Sequence, residues 1–355
     1  MSLILLYSLG LIFEKAVLII VLFVVTLGVA AYATYGERKI AAFFQDRLGP
    51  SNAGPWGLLQ PIADGVKMFT KEDFIPNKSE RWLYVLAPGA FIFVALMASA
   101  VIPWGTTLTL GDLNWSLQVA DVNIGVLYIV GLASLGVYGI MLGGWASNNK
   151  FSLYGAIRAS SQMISYELAM GLSLIAIVML SGSLSLKTIV EQQSGIWNVV
   201  YQPLGFILFF TCSLAECNRA PFDMAECETE LIGGYHTEYS AMKLGMFLFA
   251  EYINMFISCT VISCLYFGGY HFPGLDPNWL GGLMGPIILL SKAFFFIFVF
   301  MWIRWTLPRF RYDQLMHLGW KSLIPLAIIN LIITGAWLIF KDDPSATWSI
   351  LKDSF

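Results

Sequence analysis

The chain has 355 residues, 57% hydrophobic and 12% charged, with 20 lysines and arginines against 23 aspartates and glutamates. Soluble domains carry about 25% charged residues, so a water-soluble fold is excluded and an integral membrane protein is indicated. A net charge of −3 with no basic patch also argues against a nucleic-acid partner.

A spanning helix needs about 20 mostly apolar residues. Eight segments meet that length, at roughly 14–35, 83–104, 123–145, 162–182, 201–218, 243–268, 284–305 and 321–340. The prediction is an all-α polytopic integral membrane protein, one membrane domain over residues 1–355, with no soluble insert and no internal repeat. The first run has no basic stretch before it and no A-x-A-like cleavage site after it, which predicts a retained helix. The fifth span is short and starts from Pro203.

The first connection, from Glu37 to about Arg81, contains GPWGLLQPIADGVKMFTKED. At 100° per residue, Leu58, Leu59, Ile62, Val66 and Phe69 share one arc, and Gln60, Asp64, Lys67 and Lys71 lie opposite. Such a helix lies in the membrane interface without crossing it. It is either a surface helix packed on neighbouring spans or the floor or entrance of a cavity reached from lipid. Gly49-Pro50, Gly54-Pro55 and Pro76 mark its flanks as turns.

Connections one, three, five and seven hold 15 of the 20 lysines and arginines. The positive-inside rule then puts these connections in the cytoplasm and both termini outside. The fifth connection departs from that pattern. From Glu216 to Glu251 stand seven of the 23 acidic residues (Glu216, Asp223, Glu226, Glu228, Glu230, Glu238 and Glu251) against Arg219 and Lys243. Carboxylates beside hydrocarbon are costly and face a partner or a hydrated interior, so a proton or ion path is predicted here.

Glu167, Glu216 and Glu251 fall inside predicted spans, each about one to two turns from the cytoplasmic end and therefore at similar depth. Any one of them also reads as a carboxylate hydrogen-bonded to a Tyr, Ser or Asn neighbour. Three at one depth, below further acids, favour a shared hydrated path. Carboxylates crowded together out of water titrate as a coupled set and exchange protons near neutral pH. Arg219, Lys292 and Arg304 are the expected counterions, with a structural hydrogen bond as the alternative for Lys292 inside the seventh span.

Motifs for chemistry within the chain are missing. No Walker A loop, GxGxxG, HExxH or GxSxG occurs. Cys212, Cys217, Cys227, Cys259 and Cys264 form no CxxC pair, and His236, His271 and His317 are scattered, so no metal site is expected. Electrons, if they are involved, come from another chain.

Five motifs in order, YGERKIAAFFQDRLGP, GLLQPIADGVKMFTKE, GWASNNKFSLYGAIRASSQMISYE, NRAPFDMAECETELIGGYHTEYS and LPRFRYDQLMHLGWK, carry a resemblance to a known family. From the first span to about residue 335, the chain resembles the H-type subunits of the proton-pumping NADH:quinone oxidoreductases (respiratory complex I), the bacterial equivalents of the mitochondrial ND-one subunit. Related hydrogenase-type complexes carry similar subunits whose motifs match less fully. The resemblance implies a membrane-arm subunit at the junction with the peripheral arm, with quinone (ubiquinone or menaquinone) as substrate. It implies FMN, NADH and iron–sulfur clusters in partner subunits only. Its partners would be the other proton-pumping membrane-arm subunits, the peripheral iron–sulfur subunits and lipid of the cell inner membrane. Carried onto these motifs, a quinone chamber would involve Glu37, Arg38, Arg47, Asp64 and Arg304. A proton path would involve Glu167, Glu216, Asp223, Glu226, Glu228 and Glu251. Leu248 stands where some members have an aromatic residue. A self-contained channel or transporter is the competing class, and it predicts an internal repeat with broken helices. A purely structural anchor for a soluble arm would leave the intramembrane acids unexplained.

Overall fold

The computed structural model describes residues 2–110, 113–225 and 231–342. Glu226 and Glu228, both expected in the acidic path, lie outside the described residues. The chain forms α1 (Ser2–Phe44), the amphipathic α2 (Gln60–Thr70), α3 (Arg81–Ala98), a hairpin of β1 (Thr107–Leu110) and β2 (Leu113–Ser116), and α4 (Gly125–Ala146). There follow α5 (Lys150–Ser181), the short α6 (Leu186–Gln192) and α7 (Asn198–Tyr201), α8 (Pro203–Glu216), α9 (Ala241–Tyr266), α10 (Met284–Thr306), α11 (Tyr312–His317) and α12 (Ile324–Asp342). Among the described residues, seven helices are long and apolar enough to cross a membrane, and α8 is a shorter apolar helix beside them. The protein is a polytopic, all-α membrane protein.

Local chemistry sets the helix ends. The Asn149 side chain accepts the Phe151 amide at 3.0 Å and caps α5, which therefore starts at Lys150 and not near residue 162. Gly182, at φ +65°, ends α5 in the left-handed conformation that glycine adopts without steric cost. Pro203 opens α8 in the first helical turn, where its missing N–H goes unused. The last span begins nine residues before the predicted 321, at Tyr312. A π-helical turn over Leu318–Leu323 joins α11 to α12, and there Gly319 lies against the ring of Tyr166, whose hydroxyl donates to the Leu315 carbonyl at 3.0 Å.

Helix α9 is the axis of the bundle, with 72% of its apolar window buried, against 22% for the last span. It packs on α1, α3, α8 and α10. The loop before it is drawn into the core by Gly155 of α5, where any Cβ would come within 2.8 Å of Gly234 and Tyr235. Ser152 then donates to the Tyr235 carbonyl at 2.6 Å, and Asn149 donates to Glu238 at 2.6 Å. The part of the acidic connection from Gly234 to Glu238 is thus held by α5, which is distant in sequence.

The apolar arc of α2 does not pack on neighbouring spans. Ile62, Val66 and Phe69 are exposed, and no residue of α2 is buried. The helix lies against α1 and α9, and Lys243 at the start of α9 ties down the following segment through Asp73 at 2.8 Å.

Candidate functional site

Glu37 lies one to two turns before the end of α1, and it is buried. Tyr252 of α9 donates its hydroxyl to Glu37 Oε2 at 2.7 Å, and Arg304, in the last turn of α10, pairs with Oε1. Arg219 comes from the turn just after α8 and reaches Glu37 at 3.5 Å. Its guanidinium carbon lies 4.1 Å from the centre of the Tyr252 ring, a cation–π contact. The same guanidinium stands 3.9 Å from Glu251, which is only 2% exposed and accepts the Tyr235 hydroxyl at 3.0 Å. Arg219 therefore joins a carboxylate of the expected chamber to a carboxylate of the expected path.

A cavity of about 450 Å³ opens between α1, α2, α9 and α10. Glu37, Arg38, Arg47, Asp64 and Arg304 all line it, together with Arg219, Tyr252, Met68 and Leu248. Four arginines here face two carboxylates, so the wall is net positive and favours a ligand that carries or acquires negative charge. Asp64 pairs with Arg38 at 2.8 Å and accepts from Gln60 at 2.9 Å. This pair is partly exposed on both sides, at 51% and 33%. Such pairs contribute roughly 0–1 kcal/mol, so Arg38→Ala is expected to destabilise the protein by less than about 1 kcal/mol in thermal unfolding.

The remaining expected acids separate into two further places. Asp223, buried, pairs with Arg309 in the segment after α10, where the Phe310 amide donates to the Pro221 carbonyl at 3.2 Å. Glu167 accepts from Ser134 of α4. Glu216, the last residue of α8, faces a smaller cavity of about 60 Å³ bounded by α3, α4, α5, α8 and α9. Glu167, Glu216 and Glu251 do not sit equally near their helix ends. Because α5 begins at the Asn149 cap, Glu167 lies about 25 Å along it at 1.5 Å per residue.

Lys292 joins none of these groups. It lies two turns into α10 and donates to the carbonyls of Phe267, Gly269 and His271 at 2.6, 2.8 and 2.6 Å, with the Trp197 ring 5.2 Å away. It closes off the end of α9, which makes it the structural hydrogen bond and not a counterion of the acids. Among the described residues no three His, Cys, Asp or Glu side chains gather in a metal-binding arrangement.

Sequence reasoning passed over Tyr235, Tyr252, Arg309 and Ser134. Tyr252 follows Glu251 directly and Arg309 lies within the motif LPRFRYDQ, so both were in view. Nothing in a linear pattern pairs either with a carboxylate in another helix.

The NADH dehydrogenase family model matches residues 16–335. The first of the H-type subunits of NADH-quinone oxidoreductase from Cytophaga hutchinsonii is 60% identical over 332 residues, covering 92% of this chain and 97% of the relative. The H-type subunit from Flavobacterium johnsoniae is 60% identical over 344 residues, covering 94% and 98%. The second H-type subunit from Geobacter metallireducens is 52% identical over 329 residues, covering 89% and 93%.

Proposed function

Because the chain belongs to the NADH dehydrogenase family, among the H-type subunits of NADH-quinone oxidoreductase, we propose that its arginine-lined cavity admits quinone from the bilayer and that Arg219 links quinone reduction to proton movement. The chain is a multi-pass membrane subunit of an oxidoreductase complex. In this reading it lies in the cell inner membrane with both termini outside the cytoplasm. Electrons reach the quinone from peripheral subunits that hold FMN and the iron–sulfur clusters and oxidise NADH, while this chain supplies the chamber wall and the protonic link.

The observation that carries the proposal is the pair of contacts of one guanidinium, 3.5 Å to Glu37 and 3.9 Å to Glu251. Glu37 faces the cavity, so charge gained by a quinone head there acts first on Glu37, Arg304 and Arg219. A unit charge at about 10 Å is worth roughly 1.7 kcal/mol at an effective dielectric near 20, which exceeds one pKa unit. Any drift of Arg219 toward the chamber weakens its hold on Glu251 and alters the affinity of that carboxylate for a proton. From Glu251 the path would run to Glu216 and Glu167 and on to neighbouring pumping subunits, with Asp223, Glu226 and Glu228 supplying it from the cytoplasmic loop.

The exposed apolar arc of α2 supports an amphipathic floor lying in the interface, with Asp64 and Met68 turned to the cavity. A photoreactive quinone analogue is expected to label the segment Leu58–Phe69 and the wall around Leu248 in the assembled complex, and excess quinone to suppress that labelling. Labelling confined to other segments, or undiminished by excess quinone, removes the chamber reading.

A further inference from the structure

We propose that Lys292 is an electrostatic proton seal, a fixed cation that closes this chain between its acidic groups and the opposite face of the membrane. The inference rests on the reading of Glu216 and Glu251 as proton carriers and names what keeps their protons from escaping through the far end of α9.

The course of α9 creates the need for a closure. Glu251 lies in its first half, and the helix runs on to Tyr266 at the other end. The cavity beside Glu216 follows α9 from Asn254 to Leu265, about 16 Å at 1.5 Å per residue. A helix leaves its last carbonyls without partners of its own, and unpaired carbonyls at the end of a cavity invite water.

Those carbonyls are instead paired one after another by side chains. Gln193, 1% exposed, donates to the Cys264 carbonyl at 2.9 Å and accepts the Gly268 amide at 3.0 Å. Asn198 donates to the Leu265 carbonyl at 3.0 Å. Lys292 takes the next three, from Phe267, Gly269 and His271. The turn that presents them is tightly packed: a Cβ on Gly269 would come within 2.9 Å of Val190, and one on Gly268 within 3.1 Å of Trp197. The rings of Trp197 and Phe272 flank the ammonium at 5.2 and 6.0 Å.

The chemistry of this plug is that of a barrier and not of a relay. A lysine ammonium has three donors and no acceptor, so it cannot take up a proton arriving from the cavity. All three partners are neutral, and their dipoles hold the charge without cancelling it. A positive charge fixed in a narrow passage repels protons and other cations. An apolar side chain at this position would fill space but leave three carbonyls unpaired, which is costly away from water. Lysine satisfies them and adds the repulsion. The role also explains why a charge is kept about 12 Å into α10, where it meets no acid of the proposed path.

The test is passive proton leak through the assembled complex in liposomes, at rest and without NADH. A potassium gradient with valinomycin sets the potential, and trapped dyes report proton and sodium entry. Lys292→Met, which keeps the length and removes the charge, is expected to raise proton entry at least threefold while sodium entry stays at the wild-type level. Lys292→Arg keeps the charge and is expected to stay near the wild type. Should the methionine variant fail to assemble, Lys292→Gln removes the charge but retains donors, and it is expected to leak likewise. Wild-type proton entry in an assembled methionine or glutamine variant overturns the seal. So does sodium entry rising in step with protons, which marks general loosening, or an arginine variant that leaks as much as the methionine one. Proton pumping by Glu216→Gln, measured in parallel, separates the two levels. If that variant stops pumping and the Lys292 variants do not leak, the seal alone fails; if it pumps unchanged, the reading of the acids fails and the seal with it.

Discussion

Arg219→Leu is expected to cause the largest loss of any single substitution in this chain. Glu37 and Glu251 are both nearly excluded from water, and Arg219 serves both. Removing one partner from a buried ion pair costs about 3–5 kcal/mol, because an uncompensated charge is left inside. Arg304 and Tyr252 still hold Glu37, and Tyr235 still holds Glu251, so the lower part of that range applies to stability. Function should fall further, since the guanidinium bridge between the two carboxylates is lost, and quinone reductase activity of whatever complex assembles is expected to drop at least tenfold. Arg219→Lys keeps the charge but loses the guanidinium contact with the Tyr252 ring and the forked reach to two acids, so an intermediate loss is expected. The measurements are the amount of complex in membranes, its thermal unfolding and its quinone reductase rate. Wild-type values for all three in Arg219→Leu would remove the coupling role of this residue.

Glu216→Gln is expected to divide stability from function. Glutamine matches the shape of glutamate but cannot exchange a proton at neutral pH. The side chain faces a largely apolar cavity, one wall of which is α5, the helix that carries Glu167. Replacing a charge in such surroundings by a neutral group of equal volume is neutral or stabilising. Assembly and thermal stability should therefore hold or rise, while proton translocation falls at least tenfold. Dye-quench measurements on liposomes holding the intact complex give the pumping rate, and unfolding of the same preparation gives the stability. If pumping persists unchanged while stability drops, Glu216 is a structural carboxylate and the proton path lies elsewhere.

The sequence carried the long-range architecture because membrane burial is written into local composition. An apolar run of about 20 residues has one fate in a bilayer, since its backbone amides must bond within the segment. The helical period of Leu58, Ile62, Val66 and Phe69 likewise marks α2 as interfacial without reference to any other part of the chain. Boundaries were less legible. The polar residues within 150–161 (Lys150, Ser152, Arg158, Ser160 and Ser161) conceal the first three turns of α5, and only the Asn149 cap shows where that helix starts.

The sequence by itself thus determined that this is a polytopic helical membrane protein of one family, and which acids and arginines are its unusual charges. Only the tertiary structure decided which charge meets which. Glu37 binds Tyr252 across 215 positions and Arg304 across 267, Asp223 meets Arg309 across 86, and Lys292 goes to backbone carbonyls in place of an acid. Hydropathy and periodicity report how each residue relates to solvent or to its own helix, whereas an ion pair depends on where two helices are brought by packing of the whole bundle. Arg219 appears in the sequence as one cation in an acidic connection, and the packing of α1 against α9 makes it the contact between the cavity and the acids.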